Sequence, residues 1–209
     1  MIGLRLVDPI SKIEKDMKVA LINDLNLYLN KRKDKVASRI KESSRFWLLS
    51  QPEIQSLKDT SIQNSLSSLF GIPVGNEGGI TETIVNSVIN SIQVKFSKID
   101  KNFRGSLTFS MQPSDFQNLL GLSAGHVTTE KGADLHWLKW LLVEGDSVVV
   151  SGYQYDASAI GRSGVGGMVR GGSFRVPPQY SGTISNNFVT RAFAGKQSEI
   201  EKILSEVLK

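Results

Sequence analysis

Few side chains in this sequence are equipped for acid–base or metal chemistry. His126 and His136 are the only imidazoles, and there is no cysteine. Imidazole is the commonest general base and metal ligand. These two histidines fall in no recognised ligand spacing, and no HExxH-type helix accompanies them. Both are expected to be surface or partly packed residues, with no metal and no cofactor.

The run 161–173 is rich in glycine and invites comparison with phosphate loops, where bare backbone closes on an anion. Gly164, Gly166 and Gly167 are not followed by the glycine that would complete GxGxxG, and no GK[ST] ending is present. Gly195-Lys196 precedes Gln197, so the hydroxyl that would hold magnesium is missing. Gly161-Arg162-Ser163-Gly164 lacks the nucleophile-elbow spacing. Trp137 and Trp140 could stack on single-stranded bases. Tryptophans three apart share one side of a helix, however, and with Leu138, Leu141 and Leu142 they read as core or subunit contact.

The elements that must position these residues are legible from periodicity. Ser11 and Glu14 have capping-box spacing after Pro9, and Ile13, Met17, Ala20, Leu21, Leu25 and Tyr28 follow three or four apart. The spacing predicts a helical arm, continuous or broken near Lys31, Arg32, Lys33 and Lys35, that resumes with Val36 and Ile40 toward Phe46 and Trp47. Ser50 and Glu53 repeat the capping spacing for a second helix carrying Ile54, Leu57, Leu66 and Leu69, ended by Gly71 and Pro73. Turn composition from Pro73 to Gly79 marks a boundary between a helical arm, 1–72, and an α+β domain, 80–209.

Beyond that boundary Thr81 caps a helix whose Ile84, Val85, Val88 and Ile89 face inward. Val94 and Phe96, then Leu107, Phe109 and Met111, alternate across a turn at Asp100–Asn102 and predict a hairpin. Ser114 and Gln117 predict a short capped helix, and Ser147–Val150 and Tyr153–Tyr155 predict strands separated by Gly152. The glycine-rich run reads as a mobile loop ordered by a neighbouring chain, with Arg162, Arg170 and Arg175 as its charged contacts. Ile200, Ile203, Leu204, Val207 and Leu208 form one stripe of a C-terminal helix. The expected fold is α+β: a long N-terminal helical arm, a small, mainly antiparallel sheet with a hairpin, and a C-terminal helix.

Composition bounds the class. With 209 residues, 40% hydrophobic and 22% charged, the chain is long enough for one well-buried core, or one core plus an appended helical arm, and one compact domain is expected. The missing cysteines point to a reducing cytoplasm, and Met1–Pro9 lack signal-peptide character. No stretch approaches the roughly 20 apolar residues of a membrane span, so a soluble protein without membrane contact is expected. A net charge of +5 leaves contact with nucleic acid open, although interspersed Asp34 favours a solvated helix face.

Two blocks carry a resemblance: WLKWLLVEGD from Trp137 to Asp146, and RSGVGGMV from Arg162 followed by FRVPPQYSGTISNNFVTRAF from Phe174 to Phe193. They resemble virion structural proteins of contractile-tailed bacteriophages. The layout of residues 92–193 is similar to that of the tail-completion or neck family, the head–tail connectors. The resemblance implies a non-enzymatic subunit of a homo-oligomeric ring, made in the host cytoplasm and built into the virion tail or neck. Other neck, tail-tube or sheath proteins would be its partners, close to packaged DNA. It further implies subunit contacts through Trp137, Trp140, Arg162, Arg170 and Arg175. Two alternatives stay open: a basic nucleic-acid-binding protein, and a hydrolase using His136 with Asp134 or Glu144.

Overall fold

The structure, a computed structural model, describes residues 7–111, 116–128, 132 and 134–209. Its first element, α1 (Ile10–Leu49), is a single 40-residue helix. No glycine or proline lies inside it, so nothing breaks the ladder at the basic run. The helix starts at Ile10, where the Pro9 carbonyl accepts from the amides of Lys12 and Ile13. Ser11 therefore lies inside the helix rather than at its cap.

The architecture is α+β, with three antiparallel two-stranded sheets among the described residues and a C-terminal helix. In place of the one compact domain expected, the chain divides into two compact units, because its N-terminal helix, hairpin and C-terminal helix cluster apart from the rest. One comprises the part of the chain before Lys41, Gln93–Ser110 and Ser198–Lys209. Here the hairpin of β1 (Ile92–Phe96) and β2 (Leu107–Met111) and the helix α8 (Gln197–Val207) meet α1. Val36, Ile40 and Val207 are buried, with Val94, Phe96, Leu107, Phe109, Ile203 and Leu204 packed around them. Polar groups on α1 close this unit: Arg32 donates to the Val207 carbonyl at 3.0 Å, and Tyr28 donates to the Leu208 carbonyl at 3.2 Å. Both satisfy carbonyls that the end of α8 leaves without helical partners.

The second unit is Lys41–Ile92 with Met111–Gln197. It holds α2 (Pro52–Lys58), α3 (Leu66–Leu69), α4 (Glu77–Ser91), α5 (Gln117–Leu120), α6 (Leu138–Leu142) and α7 (Phe188–Phe193). The boundary expected at Pro73–Gly79 falls inside this unit. Glu77, Gly78 and Gly79 form the first turn of α4, whose Thr81, Ile84, Val85 and Val88 are buried. Glycine is a poor helix former, but it is tolerated where burial of the following turns compensates. Thr81 sits within that helix and turns its hydroxyl back on the carbonyls of Glu77 and Gly78.

The helix expected from Glu53 through Leu69 is two helices. Asp59 ends α2 because its carboxylate accepts from the amide and hydroxyl of Ser61, a local turn that competes with the helix. The capping box of Ser50 and Glu53 does not form. Ser50 donates to the Trp47 carbonyl, and Gln51 precedes α2 with no side-chain cap. Ser114 lies outside the described residues, though the short helix expected after it is α5. Strands expected to flank Gly152 are one strand, β5 (Val148–Asp156), paired antiparallel with β6 (Gly167–Arg175). Gly152 adopts a left-handed φ of 79° where the register shifts between Ser151 and Tyr153.

Candidate functional site

Residues singled out in the sequence converge around the β5–β6 ribbon and α6. Trp137, at the N-terminal boundary of α6, is 1% exposed and stacks on Phe70 with ring centroids 4.8 Å apart. Trp140 is half-buried and donates its indole N–H to Ser147 Oγ at 2.9 Å. The first is core; the second has an outer face. Leu138, Leu141 and Leu142 are fully buried beside them.

The glycine-rich run is ordered by its own unit. From Gly167 onward it is strand β6, and before that it is a loop gripped by side chains. The Tyr155 hydroxyl donates to Ser68 Oγ at 3.0 Å, and it passes so close to Gly166 that an added Cβ would lie 1.9 Å from that oxygen. A Cβ on Gly161 would lie 2.5 Å from the Gly166 carbonyl, which accepts the Gly161 amide. Glycine is used here for close approach rather than for freedom. Part of the run expected as a loop is thus strand, and the loop before it lies against side chains of its own unit.

The three arginines have different surroundings. Arg162 is exposed and donates to the Thr128 carbonyl at 3.0 Å. Arg175 donates to the Asp146 carbonyl at 2.8 Å, with the Asp146 carboxylate 3.8 Å away. Arg170, exposed on β6 opposite Tyr153, makes no hydrogen bond or ion pair among the described residues. Two of the three therefore have partners within their own unit, and Arg170 has none among the described residues.

Strands β3 (Val127–Thr128) and β4 (Asp134–Leu135) bring the two histidines together. Their rings stack at 4.0 Å and 17°. His126 Nδ1 is 2.8 Å from Asp134 Oδ2, while Glu144 pairs with Lys139 at 2.6 Å. The carboxylates considered as partners for His136 are thus engaged with other residues. Burial holds the His136 imidazole below its ordinary pKa, with His126 and Lys139 acting in the same direction and Asp134 opposing them. Among the described residues no cluster of three potential ligands could hold a metal ion.

Two features escaped the sequence reading. Glu53 is 1% exposed and ion-paired with Arg191, which also donates to Asn186 Oδ1 at 2.8 Å. Its capping spacing hid this role. Asn187 is fully buried; its side chain caps α7 by accepting from the amides of Val189 and Thr190 and donates to the carbonyls of Leu142 and Thr183. An Asn followed three residues later by Thr, ahead of an apolar run, was the available signal. No protein-family model, curated protein or solved structure matches the chain.

Proposed function

We propose that the chain is a structural subunit of a bacteriophage virion, a neck or tail-completion protein that joins head and tail as part of a homo-oligomeric ring. The observation that carries this reading lies on α1. Ile10, Ile13, Met17 and Leu21 recur at three and four residues and so share one helical face. Ile10 is 67% exposed, Met17 66% and Leu21 51%. Burying a side chain of this size stabilises by about 1.5–3 kcal/mol, so an exposed stripe of them favours association. The same stripe suits a chain that works by contact, and the resemblance of Trp137–Asp146 and Phe174–Phe193 to phage structural proteins supplies the class of assembly.

Sedimentation velocity on the full chain tests it, with Met17→Lys/Leu21→Lys as the comparison. Lysine keeps helix propensity while removing the apolar face. Closed oligomers that the double substitution disperses are the expected result. A monomer at every concentration, unchanged by the substitutions, would overturn the ring.

A further inference from the structure

The β3–β4 ladder pairs Val127 with Leu135 and Thr128 with Asp134, so its next position sets His126 opposite His136. The only two imidazoles of the chain therefore meet face to face, 4.0 Å between centroids. Asp134 holds His126 through Nδ1 at 2.8 Å. His136 Nε2 is buried and without a hydrogen-bond partner among the described residues. On the same ladder the Thr128 carbonyl accepts from Arg162, which anchors the segment connecting β5 to β6. The His136 carbonyl, in turn, accepts the Lys139 amide at the start of α6.

We propose that this pair is a pH-sensitive latch: in mild acid a proton on His136, stacked against His126, separates the β3–β4 ladder and releases Arg162 from Thr128. A proton on His136 puts positive charge ring to ring with the imidazole that Asp134 holds, in a partly buried setting where like-charge repulsion between the two rings is less screened than in water. Among the described residues, three charged or titratable groups act on His136. Asp134 on β4 attracts the proton, while His126 and Lys139 on α6 oppose it, and Glu144 pairs with Lys139. A depressed imidazole contributes stability above its unfolded value, and that contribution is lost as pH falls through the folded one. The latch is thus closed at neutrality and opens on the acid side. It needs no partner and stands apart from the virion reading.

The test is an NMR titration of the full chain from neutral to mildly acidic pH. It follows the His136 ring proton, the amides of Val127, Thr128 and Leu135, and the Arg162 side-chain Nε–H, with Arg170, which has no partner among the described residues, as the reference. The expected result is one step shared by His136, the ladder amides and Arg162, and absent from Arg170. His136→Gln should abolish the shared step. His126→Gln, which removes the stacked imidazole, should move the His136 titration to higher pH. Titration of His136 with no movement of the ladder or Arg162 would overturn the latch, as would a step that persists in His136→Gln. If His136→Gln does not fold, the other variant still decides, because an unmoved His136 titration in His126→Gln removes the repulsion on which the proposal rests.

Discussion

The glycine-rich run was read from sequence as a loop ordered by a neighbouring chain and the N-terminal part of α1 as a helical arm, and the two differ in an instructive way. In the ribbon, the residues expected to be loose are fixed by Tyr155, Ser68 and Thr128 within their own unit. On α1, Met17 and Leu21, which read as part of one apolar stripe, are exposed, and so is Ile10 just before it. Glycine content reported how closely backbone and side chain approach, and apolar periodicity reported a helix without saying whether its face is covered. The contrast makes the ribbon a matter of folding and, in the proposed reading, the exposed helix face a matter of association.

The sharpest way to break this contrast is Gly166→Ala. Its Cβ would fall 1.9 Å from the Tyr155 oxygen, at a φ of 70°. Overpacking and left-handed strain together predict a loss of about 3–5 kcal/mol in urea unfolding. Gly152→Ala has a similar φ of 79° but open space around the added carbon, and should cost only about 1 kcal/mol. Equal losses would mean that the ribbon glycines serve conformation alone and that the grip of Tyr155 is incidental.

Arg191→Met comes next, at roughly 3–4 kcal/mol near neutrality, because it strands the buried Glu53 carboxylate. Burial pushes the Glu53 carboxyl above its ordinary value, against the pull of a backbone hydrogen bond and of Arg191. A raised carboxyl favours its protonated form more in the fold than in the unfolded chain. That contribution is fully present below 4.5 and lost as pH rises through the folded value. The penalty of Arg191→Met should therefore shrink as pH is lowered toward that value, since Glu53 can then be neutral. A penalty independent of pH would show that the arginine acts through packing.

The α+β class, the 92–111 hairpin and the stripe of α8 were legible because each rests on local periodicity. The divide between units was not. It joins Val36 and Ile40 to Val207, partners far apart in sequence that no local pattern reveals. The capping boxes at Ser11 and Ser50 failed because Pro9 and Gln51 stand where the helices begin, leaving Glu53 to a distant arginine. His126 and His136 read as unrelated because their pairing depends on the register of a two-residue ladder, which spacing alone does not encode. Trp137 and Trp140 read as equivalent, yet only Trp137 is fully buried. Trp140→Ala should accordingly cost about 2 kcal/mol, less than the roughly 3–5 kcal/mol of Trp137→Ala, by thermal or urea unfolding.

The smallest effect on stability is expected where the effect on association is largest. Met17→Lys/Leu21→Lys replaces two exposed side chains on α1 with residues of comparable helix propensity. Neither residue belongs to the cluster around Val36, Ile40 and Val207. Surface changes of this kind stay within about 0.5 kcal/mol, so the unfolding midpoint of the monomeric form should be unmoved. Self-association should nevertheless be lost, because the stripe would then carry two like charges in place of the apolar area that contact would bury. Paired measurements of unfolding and sedimentation separate the two roles. Should the double variant unfold at lower denaturant while its sedimentation stays the same, the stripe would be part of the fold after all, and the distinction between the helix and the ribbon would collapse.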